Sequence, residues 1–222
     1  MSAFDYQGYE ILSGLLPGHA VQKLRDDLSG LRLGKHKGGL RNAEKKFPLI
    51  HELAQAPELR RLAERYLTGI ASVVRVILFD KTPDNNWRVS WHQDQTVTLS
   101  DKVELEDWGP WSQKDGVYHV QPPIEVLDNM VSLRLHLDPA DHDNGCLRVI
   151  PSSHNAGLLN AEQIQQYAES HPAEDCVAET GDVLVMRPHL LHRSCKASHP
   201  SARRIIHIEY SGYQLPAGLN WA

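Results

Sequence analysis

Residues 131–138 read Val-Ser-Leu-Arg-Leu-His-Leu-Asp, apolar and polar in strict alternation. Side chains along a strand point to opposite faces in turn. Val131, Leu133, Leu135 and Leu137 therefore share one face, and Ser132, Arg134, His136 and Asp138 the other. Residues 203–210 divide the same way, with Arg204, Ile206, Ile208 and Tyr210 against Arg203, Ile205, His207 and Glu209. Two strands with apolar faces outward and polar faces inward suit a barrel with an interior site, its outer face packed on helices. A sandwich with one solvated sheet would use the same alternation, so the rest of the chain must decide.

The first 70 residues have a different period. Ala20, Val21, Leu24, Leu28 and Leu31 fall on one helix face between Leu16 and Leu31, and Leu49, Ile50, Leu53 and Ala54 repeat the spacing. Pro57 starts a third helix with Leu59, Leu62, Ala63, Tyr66 and Leu67 on one side, and Gly69 is placed to end it. From Val73 to Phe79 the chain turns β-branched and apolar, a buried strand. Further strands are expected at 146–150 and 183–187, with Asn144-Gly145 as a hairpin turn. One helix interrupts them over Ala161–Ser170, where Asn160 and Gln163 resemble a capping box. The expected fold is mainly β with flanking helices: a double-stranded β-helix (a cupin-like jelly roll) in a single domain over 1–222. Residues 1–70 would be its helical support and 71–212 its core. Residues 98–128 are mostly polar and hold Trp108, Trp111 and three prolines. They read as a long loop insertion, either solvated or a lid over a pocket.

Composition narrows the partners. A net charge of −5 with no Lys/Arg run gives no reason to expect nucleic acid or a membrane. No apolar stretch approaches a membrane span, and the N-terminus has no leader-like pattern. Three widely spaced cysteines without a CxxC fit neither a disulfide framework nor a zinc knuckle. A cytoplasmic monomer or homodimer acting on a small molecule is expected. Thirteen histidines raise the prospect of metal chemistry.

Trp91-His92-Gln93-Asp94 gives that prospect a location. On a strand His92 and Asp94 present an imidazole and a carboxylate on one face, two of the ligands of a 2-His-1-carboxylate site. The tripeptide alone is at chance level in so His-rich a chain, and a surface pair is the alternative. A second histidine must come from a distant strand. Gly181-Asp182 followed by an apolar strand leads to His189 and His192. Eleven residues past His192, Arg203 opens a strand, and a guanidinium there suits a dicarboxylate.

The order His92-x-Asp94, then Asn144-Gly145-Cys146-Leu147-Arg148-Val149-Ile150-Pro151-Ser152-Ser153-His154, then Leu191-His192-Arg193-Ser194, then Arg203, resembles the phytanoyl-CoA dioxygenase family. The opening Gly8-Tyr9-Glu10-Ile11-Leu12 before a helix is similar too, so the resemblance runs from about Tyr9 to Tyr210. It implies a double-stranded β-helix that uses Fe(II), 2-oxoglutarate and O₂. It implies His92, Asp94 and His192 as iron ligands. Arg203 would hold the distal carboxylate of 2-oxoglutarate, assisted by Ser194, with Lys81 near the cosubstrate. Decarboxylation to succinate and CO₂ would accompany hydroxylation of a C–H bond. Three positions bear on this. Ser152 replaces the family's usual glycine, a change in a turn. Arg134 stands where acyl-CoA-hydroxylating members tend to carry tryptophan. Asp94 keeps the carboxylate that halogenating members lack.

Within the site, His192 is preferred over His189 because His-x-Ser is the family pattern, and strand parity prefers Arg203 over Arg204. Arg134 and His136 would face the cavity. A buried Arg134 needs a partner, either an anionic substrate or cosubstrate group or a structural acid such as Glu209. Trp91 and Trp108 or Trp111 would supply apolar walls. A hydrolytic zinc enzyme with the same ligands and a non-catalytic jelly-roll binding protein are the rival readings.

Overall fold

The computed structural model describes residues 2–31, 38–199, 202–216 and 218–222. The N-terminal part contains α1 (Ala3–Gln7), β1 (Tyr9–Leu12), α2 (Gly18–Asp27), β2 (Leu40–Arg41), α3 (Pro48–Gln55) and α4 (Pro57–Glu64). Both α3 and α4 start with proline in the first turn, where a missing N–H costs nothing. The rest holds β3 (Ser72–Lys81), β4 (Val89–His92), β5 (Val97–Leu99), β6 (Trp111–Lys114), β7 (Val117–Val120), α5 (Ile124–Asp128), β8 (Met130–His136), β9 (Leu147–Val149), α6 (Ala161–Ser170), β10 (Glu174–Cys176), β11 (Val183–Met186), β12 (His192–Ser194) and β13 (Arg203–Ser211).

These strands form a double-stranded β-helix. The major sheet runs β1-β11-β8-β13-β3-β2 and the minor sheet β10-β9-β12-β4, with antiparallel pairing throughout. The alternation in β8 and β13 does what it promised. Val131, Leu133, Leu135, Ile206, Ile208 and Tyr210 join the core formed with α2, α3 and α4. The Tyr210 hydroxyl donates to the Ala54 carbonyl at 2.8 Å, tying β13 to α3. Each such leucine, fully buried, contributes about 1.5–3 kcal/mol. The opposite faces carry Arg134, His136, Arg203, His207 and Glu209 into the interior, all nearly sealed from solvent.

The capping box of α6 forms as read, with Asn160 and Gln163 each accepting from the other's backbone N–H. Several expectations need correction. The first 70 residues are not purely helical, because β1 pairs with β11 and β2 with β3 at the two edges of the major sheet. Helix α4 stops at Glu64, and Gly69 lies further on, at φ +98° beside the Gly212 carbonyl. Asn144-Gly145 is not a two-residue hairpin turn, since β8 and β9 lie in different sheets. The Asn144 side chain instead closes the crossing loop by accepting from Asp141 N–H and donating to the Pro139 carbonyl. Asp138 leaves the inward face because β8 ends at His136. It pairs outside the barrel with Arg204 at 2.8 Å and Arg25 at 3.0 Å.

The 98–128 segment is also more ordered than a loop. It supplies β6, β7 and α5, and β5-β7-β6 form a third sheet. Trp108 and Trp111 pack there with Val97, Leu99, Val120 and Trp221. The tryptophans of this segment pack, half-buried, against the core of this small sheet. No described helix is long and apolar enough to cross a membrane.

Candidate metal centre

The two sheets bring His92, Asp94 and His192 together. His92 in β4 is the cross-strand partner of His192 in β12, and the ring centroids are 4.1 Å apart. Asp94 lies just past β4, where its N–H donates to the Pro188 carbonyl at 2.9 Å. Gln93 between them turns the other way. Its amide donates to the carbonyls of His189 and Gly157, both at 2.8 Å, and so fixes the backbone that aims its neighbours inward. Asp94 Oδ1 is 3.8 Å from His92 Nε2, and its Oδ2 is 3.5 Å from His192 Nε2. One ligand atom from each residue falls within a 4.8 Å cluster.

Hydrogen bonding decides which ring nitrogens face that point. His92 Nδ1 lies 2.9 Å from the Ser90 carbonyl, and His192 Nδ1 lies 2.8 Å from the Leu190 carbonyl. A carbonyl only accepts, so each Nδ1 carries a proton and each Nε2 is left as the atom turned toward that point. Burial, with repulsion from His192, pushes His92 down to about 4, so it is a neutral ligand at physiological pH. Burial pushes the Asp94 carboxyl up, but His192, His92 and Arg75 outweigh it and hold the group well below the usual carboxylate range. Two imidazoles, each with its Nε2 turned to the same point, and one carboxylate form a donor set suited to a divalent metal with open positions. His189 is excluded by position. Its Nε2 approaches Asp128 at 3.2 Å and its ring stacks edgewise near His154.

A cavity of about 110 Å³ surrounds the triad, lined also by Phe79, Trp87, Arg134, Ser194, Arg203 and His207. Arg203 is the cross-strand partner of Lys81. It is 2 % exposed, and its Nε and Nη1 have no hydrogen-bond partner. Burial and the nearby Arg134 lower it to about 10, which leaves it charged. A sealed guanidinium with idle donors fits the carboxylate of a ligand. Lys81 donates to the Cys195 carbonyl at 2.6 Å and sits 3.5 Å from the Ser194 hydroxyl. Burial and Arg203 lower it to about 8. Gly145 makes room for it, since a Cβ there would lie 2.9 Å from Lys81 Nζ.

Other expected wall residues are placed differently. Trp91 stacks under Arg193 at 4.8 Å rather than lining the cavity, and Trp108 is in the third sheet. His136 is buried near Arg134 and Arg203 but off the cavity wall. The aromatic walls are Phe79 and Trp87. Phe79 was readable by parity, two residues before Lys81. Trp87 had no signal, since it lies in the irregular segment between β3 and β4. Arg134 does not pair with Glu209. Glu209 accepts from Arg75 Nε at 3.1 Å and from His207 Nε2 at 3.1 Å.

The model of the phytanoyl-CoA dioxygenase family matches residues 4–205, most of the chain. The chain belongs to the phytanoyl-CoA dioxygenase family. A methylphosphonate hydroxylase from Gimesia maris is 27% identical over 168 residues, which is 73% of this chain and 63% of that protein. The chain thus spans under two thirds of that relative's length. Among solved structures, AviO1 from Streptomyces viridochromogenes Tue57 aligns with TM-score 0.69 and 24% identity, over 96% of this chain and 94% of its own. HygX from Streptomyces hygroscopicus, solved with nickel, 2-oxoglutarate and hygromycin B bound, aligns with TM-score 0.67 and 18% identity over 94% and 84%. At these identities the structures establish the shared double-stranded β-helix. The family match and the gathered triad agree on one candidate metal centre within this fold.

Proposed function

We propose that this family member hydroxylates a C–H bond of a small metabolite at an Fe(II) centre held by His92, Asp94 and His192. Arg203, with Ser194 and Lys81, would anchor 2-oxoglutarate. The observation that carries the reading is the convergence of two aimed Nε2 atoms and one carboxylate beside a buried guanidinium with unused donors. When loaded, such a centre couples decarboxylation of 2-oxoglutarate, to succinate and CO₂, with conversion of C–H to C–OH by O₂.

The chain's own residues have distinct tasks. The Ser90 and Leu190 carbonyls hold the two rings by their Nδ1–H groups, so both Nε2 atoms are aimed at the metal position. Arg203 receives one carboxylate of the cosubstrate in a water-poor pocket, where a bidentate contact is strong. Ile77, Phe79, Trp87, Val89 and Leu147 wall the reacting region with apolar surface and limit water entry. A hydrolytic zinc site has no need of Arg203, and a non-catalytic protein has no need of the whole set. The Gimesia maris relative is named for oxidation of a small molecule, and methylphosphonate is a reasonable first compound to test.

The test is spectroscopic. Anaerobic Fe(II)-loaded protein with 2-oxoglutarate is expected to develop a weak visible metal-to-ligand charge-transfer band. His92→Ala removes it and His189→Ala retains it. No band in the parent protein overturns the oxygenase reading. A band that survives His92→Ala overturns the ligand assignment.

A further inference from the structure

One buried cation is not used by this reading. Arg134 lines the cavity with the triad and is 6 % exposed. Its Nε has no hydrogen-bond partner, and no carboxylate among the described residues forms an ion pair with it. Its Nη1 lies 3.2 Å from His207 Nδ1, and its guanidinium rests over Phe79 at 5.2 Å. Burying an unpaired charge is costly, and a fold keeps one where a ligand supplies the partner.

The surroundings hold that guanidinium in place. Arg75 and Glu209 form a neutral pair under the site, both buried. Glu209 accepts from His207 Nε2, which leaves Nδ1 as an acceptor for Arg134. The chain Arg75–Glu209–His207–Arg134 fixes the imidazole tautomer and, through it, the direction of Arg134. His207, the cross-strand partner of Arg134, lies four residues beyond Arg203, about 13 Å along β13. The two guanidiniums thus enter one cavity from different strands and different register positions, Arg134 on β8 and Arg203 on β13.

Charge counting gives the ligand class. Among the described cavity-lining residues, Asp94 is the only carboxylate, against Arg134, Arg193 and Arg203. A divalent metal adds two positive charges and a 2-oxoglutarate dianion removes two. Three guanidiniums still face one carboxylate. Outside, the cavity shares Phe79, Trp87 and Val89 with a cleft of about 480 Å³ lined by Arg41, Lys46 and Asp115. That approach is net basic as well, although the whole chain carries −5.

We propose that Arg134 is a specificity-determining residue that binds the acidic group of a small anionic substrate, a carboxylate or a phosphorus oxyanion, beside the C–H bond to be oxidised. His207, Glu209 and Arg75 are positioning residues for it. This rests on the oxygenase reading, and the competing source of the anion is the second carboxylate of 2-oxoglutarate itself.

Two binding measurements separate these. Thermal shift is recorded for Ni(II)-loaded protein saturated with 2-oxoglutarate, with acetate, methylphosphonate or inorganic phosphate added, and with neutral acetamide and dimethyl methylphosphonate as controls. Calorimetry gives the 2-oxoglutarate Kd of the Ni(II) protein. The wild type is expected to be stabilised by at least one anion and by neither neutral compound. Arg134→Gln, which keeps a donor for His207, weakens that anion's apparent affinity at least tenfold and changes the 2-oxoglutarate Kd less than threefold. Equal response to anions and neutral compounds, or anion binding unchanged in Arg134→Gln, overturns the proposal. A tenfold weaker 2-oxoglutarate Kd in Arg134→Gln also overturns it, because the guanidinium then belongs to the cosubstrate. Wild-type protein that binds no 2-oxoglutarate at all counts against the oxygenase reading instead. Anion titration of the metal-free protein, wild type against Arg134→Gln, then judges Arg134 separately, selective binding lost in the variant supporting its role and no such loss overturning it.

Discussion

Replacing Arg203 and Arg204 one at a time by methionine should produce opposite phenotypes from adjacent positions. Arg203 faces inward, sealed, with Nε and Nη1 idle. Two charge-assisted hydrogen bonds to a carboxylate, at about 1.5–3 kcal/mol each, give a loss of about 3–6 kcal/mol when the side chain is removed. Since every 1.4 kcal/mol is about tenfold, 2-oxoglutarate should bind Arg203→Met about 100-fold more weakly or worse. The ligand-free variant should be as stable as wild type or more so, because a buried charge without a partner has gone. Arg204 faces outward and grips Asp138 through Nε at 2.8 Å and Nη2 at 2.9 Å. Asp138 keeps Arg25 at 3.0 Å after the substitution, so Arg204→Met should cost about 1–2 kcal/mol of stability and leave 2-oxoglutarate affinity unchanged. Calorimetry on Ni(II)-loaded protein and urea unfolding of the metal-free protein measure the two effects. If Arg204→Met loses the cosubstrate while Arg203→Met loses stability, the parity reasoning that orients β13 is wrong.

Other outcomes follow from the same interior. Glu209→Ala strands Arg75 and unlocks His207 in the barrel, and should cost about 3–5 kcal/mol by urea unfolding, against little change for the exposed Glu58→Ala. Lys81, pushed down to about 8, is charged below that pH and neutral above it, so 2-oxoglutarate affinity should fall as pH rises through about 8. Lys81→Met should flatten that dependence, and a wild-type Kd constant from pH 7 to 9.5 would remove Lys81 from the cosubstrate site. Gly145→Ala places a methyl 2.6 Å from the Cys195 carbonyl at a residue with φ +76°, so it should lower Tm and weaken 2-oxoglutarate binding together. An unchanged Tm would show that the loop relaxes freely.

Periodicity and order carried much of this protein in its sequence. The alternation in β8 and β13 fixed which side chains look inward, because a strand has only two faces. The helix faces and the α6 capping box were local in the same sense. His92-x-Asp94 with its distant partner residues was readable only as an ordered set, matched to a family. What the tertiary structure decided lies where residues far apart in sequence meet. His192 rather than His189 reaches the triad because β12 pairs with β4 and places His192 opposite His92. Trp108 left the site because β5, β6 and β7 made a sheet of their own, and pairing partners are not written in local pattern. Glu209 went to Arg75 rather than Arg134 because the register of β13 sets it opposite Arg75 on β3 and opposite Ser132 on β8, while Arg134 lies opposite His207. That choice left Arg134 unpaired beside the metal ligands, and it is the feature from which the substrate's charge is inferred.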